Sequence, residues 1–95
     1  MDIIYSVCWG VAERNSDGNL DLSAGVFGVY NSKDCADRSL EDCKIETYSL
    51  ACREANNHDV NVTGSIEDGY FKLSFMRGST SVDIHITIDF SCLND

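Results

Sequence analysis

SVDIHITIDF, residues Ser81–Phe90, alternates without a fault. Val82, Ile84, Ile86, Ile88 and Phe90 point one way, and Asp83, His85, Thr87 and Asp89 point the other, as the two-residue period of an extended chain requires. The stretch is a strand with one dry face and one wet face. The rest of the chain supplies what pairs with it and what covers its dry side.

Working outward, Tyr70–Arg77 repeats the alternation with Phe71, Leu73 and Phe75 on one side. A Gly-X turn at Gly78-Ser79 would set Phe75 opposite Val82, Leu73 opposite Ile84 and Phe71 opposite Ile86. Upstream, a two-residue turn at Asp68-Gly69 would set Ile66 opposite Phe71, Gly64 opposite Leu73 and Val62 opposite Phe75. The three segments form a meander with one apolar face.

The N-terminal segment reads the same way. Ile3, Tyr5, Val7, Trp9 and Val11 alternate with the smaller Ser6, Cys8, Gly10 and Ala12 and with Ile4. A two-residue turn at Asp17-Gly18 would pair Ser16 with Asn19, placing Trp9 opposite Val26, Val11 opposite Ala24, Val7 opposite Gly28 and Tyr5 opposite Tyr30. The reverse face of this hairpin would then carry Ile4, Cys8, Phe27 and Val29, with Gly10 facing Gly25.

Between the two β units, Asn31 or Ser32 caps a helix expected from Lys33 to about Ala55, with acids in its early turns where a helix N-terminus favours anions. Ala36, Leu40, Cys43, Thr47, Leu50 and Ala51 form its apolar stripe, and Ile45 and Tyr48 fall outside it. A break near Ser39, with that serine capping a second segment, is the alternative, and Asn56-Asn57 supplies the stop. The fold class is α+β, in the order β-β-α-β-β-β: one domain, an antiparallel five-stranded sheet with the helix packed on one face. Strand order across the helix connection stays open.

With 95 residues the chain is sized for a single core. Sixteen acids against seven basic residues give a net charge of −9, which repels phosphates and anionic membranes and favours a basic protein partner. Direct nucleic-acid binding is not expected. No apolar run reaches the roughly 20 residues of a membrane span, and Asp2 stands where a signal peptide would carry cations, so the expectation is a cytoplasmic protein. Five cysteines without a C-x-x-C pair suggest free thiols rather than a disulfide framework or a zinc knuckle.

No cofactor or metal is expected and no catalytic residue is assigned. His85 between Asp83 and Asp89 is the one acid–base or metal candidate, but it lacks a third ligand or a nucleophile. Asn15–Asp21 places oxygen donors at alternate positions, yet it lacks the terminal Glu and the glycine position of a calcium loop. Two surfaces remain as binding candidates. One is the acidic helix face of Asp34, Asp37, Glu41, Asp42 and Glu46, suited to a basic partner. The other is the patch of Ile4, Cys8, Phe27 and Val29, which is either an interface or is covered by Ile45 and Tyr48 or by the segment Ser91–Asp95.

The expected function is a non-enzymatic binding module that inhibits a basic nucleic-acid-handling partner, as phage anti-defence and anti-CRISPR proteins and immunity proteins do. The alternative is a homo-oligomeric accessory domain, such as a dimer joined through the first hairpin. A small enzyme centred on His85 is the third reading.

Overall fold

The computed structural model describes residues 2–93. Two long strands, β1 (Asp2–Arg14) and β5 (Thr80–Leu93), lie at the centre of an antiparallel five-stranded sheet of order β2-β1-β5-β4-β3, where β2 is Leu20–Tyr30, β3 is Val60–Ser65 and β4 is Tyr70–Arg77. The long-range pairing that sequence could not assign is thus β1 with β5, running from Asp2 opposite Leu93 to Arg14 opposite Ser81. It places Val7, Trp9 and Val11 beside Ile88, Ile86 and Ile84 on one face. The first hairpin and the meander share that dry face, and a single helix, α1 (Lys33–Glu54), covers it.

Helix α1 runs unbroken through Ser39, so the alternative break does not form. Ser32 is the cap, its Oγ accepting from the Cys35 amide. Ala36, Leu40, Cys43 and Ala51 are buried against Val7, Phe71, Leu73, Phe75, Val82 and Ile86. Leu50, assigned to this stripe from sequence, is instead 55% exposed, at the stripe's margin, while its neighbour Ala51 is buried. Ala36, Cys43 and Ala51 bring the helix close to the sheet, and the aromatic bulk of the core comes from β4.

The helix is tied at both ends. Near its start the Tyr30 hydroxyl donates to Ser39 Oγ at 2.9 Å. At its end Asn56 makes a reciprocal pair with Gly78, the side-chain amide donating to the carbonyl at 2.9 Å and its Oδ1 accepting from the amide at 3.0 Å. Arg77 adds ion pairs to Glu13 at 3.0 Å and to Glu54 at 3.4 Å, so that β4, β1 and the helix terminus meet in one place.

Two of the three expected turns are longer than sequence suggested. Gly78-Ser79 is a two-residue turn as read, with Arg77 opposite Thr80. In the second hairpin the loop spans Ile66–Gly69, and the pairs are Val62 with Leu73 and Gly64 with Phe71, displaced by two residues from the expected register. The Gly69 amide donates to the Ser65 and Ile66 carbonyls, and Ser65 Oγ accepts from the Asp68 amide. A two-residue shift keeps every side chain on its expected face.

The first hairpin differs in a way that changes faces. Asn15 closes it against Asn19, and its side chain accepts from the Asp17 and Asn19 amides, leaving three residues in the loop. The ladder then pairs Val11 with Ser23, Trp9 with Gly25 and Cys8 with Val26, one residue out of the expected register. Phe27 is the surplus residue of a bulge between the Cys8–Val26 and Val7–Gly28 pairs, after which Tyr5 meets Tyr30 as expected. Leu22, Ala24 and Val26 are thereby sent to the outer face and Phe27 to the helix side.

Candidate functional site

Strand β2 is an edge, and its register decides what that edge presents. Leu20, Leu22, Ala24 and Val26 share the outer face with Arg14, Ala12, Gly10 and Cys8 of β1. Leu22 is 72% exposed and Val26 59%, and beyond the bulge Val29, beside Ser6, is 60% exposed. These side chains form a row of large apolar groups beside the smaller Ser6, Cys8, Gly10 and Ala12 of β1. The outer positions of β5 from Ser81 to Ser91 are polar, and those of β4 are Tyr70, Lys72, Ser74 and Met76, so the continuous apolar row lies on the hairpin half of the sheet, with Tyr70 and Met76 exposed apart from it. The hairpin half of the outer face is dry and the other half mostly wet.

Of the four residues expected to make an outer patch, Ile4, Cys8 and Val29 lie there. Phe27 does not, because the bulge turns it to the helix side, where its ring stands 6.4 Å from that of Trp9. Sequence missed Leu22 and Val26 because the three-residue loop shifts the register by one up to the bulge. Neither α1 nor its Ile45 and Tyr48, both exposed, covers the outer row, since the helix packs on the opposite face. Of the other expected cover, Ser91–Leu93 extends β5, and Asn94 and Asp95 lie outside the described residues.

The acidic helix residues do not form one patch. At about 100° per residue, Asp37 and Glu41 fall on the flank toward β4, and Asp42 and Glu46 on the flank toward β2. Asp37 is held by Lys33 at 2.9 Å, its other oxygen buried without a partner, and Glu41 lies 3.6 Å from Lys44. Among the described residues Asp34, Asp42 and Glu46 take part in no ion pair. Asp42 and Glu46 line an open hollow with Phe27, Tyr30, Ser39 and Cys43, and Arg38 is its one cation. Of these three, Asp42 and Glu46 therefore sit beside the β2 edge, and Asp34 lies on the other flank.

The wet half of the outer face gathers no reactive constellation. His85 is exposed, with Lys72 of β4 beside it on one side and Gly10 of β1 on the other. Asp83 is occupied by the Ser74 hydroxyl, which donates to it at 2.7 Å. Cys8 lies near Asp89, and burial together with that carboxylate pushes its thiol pKa up, away from the thiolate a nucleophile needs. Among the described residues no group of three or more His, Cys, Asp or Glu is placed to hold a metal ion, and all five cysteines are free. No described helix is long and apolar enough to cross a membrane. No protein-family model, curated protein or solved structure matches this chain.

Proposed function

We propose that this chain is a non-enzymatic acidic module that binds a protein partner with a basic surface and acts by occupying it, in the cytoplasm, where its five thiols stay reduced. The observation that supports this is the conjunction at β2, whose outer face carries an exposed apolar row and whose helix side faces Asp42 and Glu46, acids without an ion-pair partner among the described residues. Apolar area supplies affinity and uncompensated charge supplies orientation and encounter rate. A nucleic-acid-handling protein is the partner class whose working surface has the opposite sign. Phage anti-defence proteins, anti-CRISPR proteins among them, and immunity proteins are the roles built on such occupancy.

The test is capture of basic proteins by the immobilised chain, with and without Asp34→Asn, Asp42→Asn and Glu46→Gln together. The triple variant should keep its fold, since exposed charges contribute little to stability, and should lose the salt-sensitive captures. If it holds the same proteins as tightly at about 50 mM salt, the acids are only solubilising and the reading falls. The second reading, two copies joined through the first hairpin, draws on the same apolar row, but an edge-to-edge pair about a two-fold axis at β2 would bring the acidic flanks of both copies together. A mass in solution of twice the chain would favour it.

A further inference from the structure

We infer that the Leu20–Val26 edge of β2 accepts a sixth strand from its partner, one whose residues alternate between apolar and basic; this rests on the protein-binding reading above and names its site. In an antiparallel ladder, alternate residues bond across. With Asn15 bonded to Asn19 at the hairpin's close, Asp21, Ser23 and Gly25 spend their backbone groups on β1. Leu20, Leu22, Ala24 and Val26 turn theirs to solvent. The residues with free N–H and C=O groups are thus the same ones whose side chains form the outer apolar row.

Edges of this kind are usually blunted by lysine, proline or a short strand. Strand β2 has 11 residues, no lysine, arginine or proline, and Asp21 as its one charge. Its bulge at Phe27 ends the regular segment, and so limits the docking length to Leu20–Val26.

An added strand places its residues alternately on the two faces of the sheet. Those on the outer face meet Leu20, Leu22, Ala24 and Val26 and should be apolar. Those on the helix side meet Asp21 and, toward Phe27, the hollow with Asp42 and Glu46, and should be lysine or arginine. A second copy of β2 fits the outer requirement and fails the inner one, because it offers Asp21 and no cation.

The probe is a fluorescent peptide of about eight residues alternating valine and lysine, added to the full chain. Its anisotropy should show saturable binding, and amide exchange at Leu20, Leu22, Ala24 and Val26 should slow, while Asp21, Ser23 and Gly25 stay as protected as before. The same peptide N-methylated on alternate residues, or with glutamate for lysine, should bind at least about tenfold more weakly. Absence of binding, equal binding of the N-methylated peptide, or protection elsewhere in the chain overturns the added strand, and the protein-binding reading then stands or falls on the triple-acid variant alone. If the free chain has twice its expected mass and those four amides are already protected, a second copy holds the edge and the inference is wrong.

Discussion

At φ +98° Gly64 lies in the left-handed region, and a Cβ there would run into the Tyr70 carbonyl of the neighbouring strand. Strain and backbone collision add, so Gly64→Ala should cost about 3 kcal/mol. Gly18 has a similar φ of +86° but nothing within 4 Å of its missing Cβ, so Gly18→Ala should cost only about 1 kcal/mol. Chemical unfolding of both variants checks the contrast, and equal costs would mean that the collision at Gly64 is relieved by movement. The thiols divide in a similar way. Burial pushes the pKa of Cys43 up, and burial with Asp89 does so for Cys8, whereas Cys35 and Cys92 are exposed. Alkylation followed by mass spectrometry should therefore label Cys35 and Cys92 first and Cys43 late. The sign for stability follows from linkage. A thiol whose pKa is raised in the folded state keeps its proton while the unfolded one loses it, so stability is full below the ordinary thiol range and falls as pH climbs through it. Cys43→Ala should lower stability overall and flatten that alkaline decline.

Among the elements, strands and helix were legible in the sequence because their periods are redundant, with each apolar residue repeating the same message. Turns were not. Asp-Gly fits a two-residue turn, but it also fits the end of a longer loop in which the glycine alone takes positive φ. Asn15 in one case and Ser65 in the other select the longer loop by accepting backbone amides. In β3–β4 the result is a shift of two, invisible to any argument from faces. In β1–β2 it is a shift of one, and the alternation that pointed Val26 and Ala24 inward was tracking the wrong parity until Phe27 restored it. Of the candidate site, the outer patch was legible in part, since Ile4, Cys8 and Val29 lie on the face expected for them, while Leu22 and Val26 could not be found without the length of the first loop. Substitution should expose this difference. Leu22→Lys should change stability by no more than about 0.5 kcal/mol, since the side chain is already in water, and Leu40→Ala should cost about 2–5 kcal/mol. A large loss from Leu22→Lys would place that residue in the core and return β2 to the register first expected. Asn56→Ala removes both bonds to Gly78 and should cost about 1–2 kcal/mol, read by the same unfolding experiment.

For the molecule as a whole, a net charge of −9 works against compactness, and four ion pairs among the described residues offset it only locally. Added sodium chloride should therefore raise the melting temperature by a few degrees, about 1 kcal/mol or less, as repulsion is screened. A fall would mean that the pairs at Arg77, Lys33 and Lys44 outweigh the repulsion. Strand order was beyond the sequence because nothing in the local pattern of β1 distinguishes β5 from β3 as its second neighbour. The answer lies in length, since β1 and β5 match in extent at 13 and 14 residues and β3 has six. That match gives the protein a mechanical grain. Every residue of β1 has a partner on β5, and Asp2 faces Leu93 at one end of the ladder. Tension applied between those two residues would part the ladder pair by pair, as a zip opens. Tension between Asp2 and Ser81, at opposite ends, would load all its bonds at once in shear. The same sheet is then compliant along one line of pull and stiff along the other, and the strand that resists is the one on which the β2 edge is mounted.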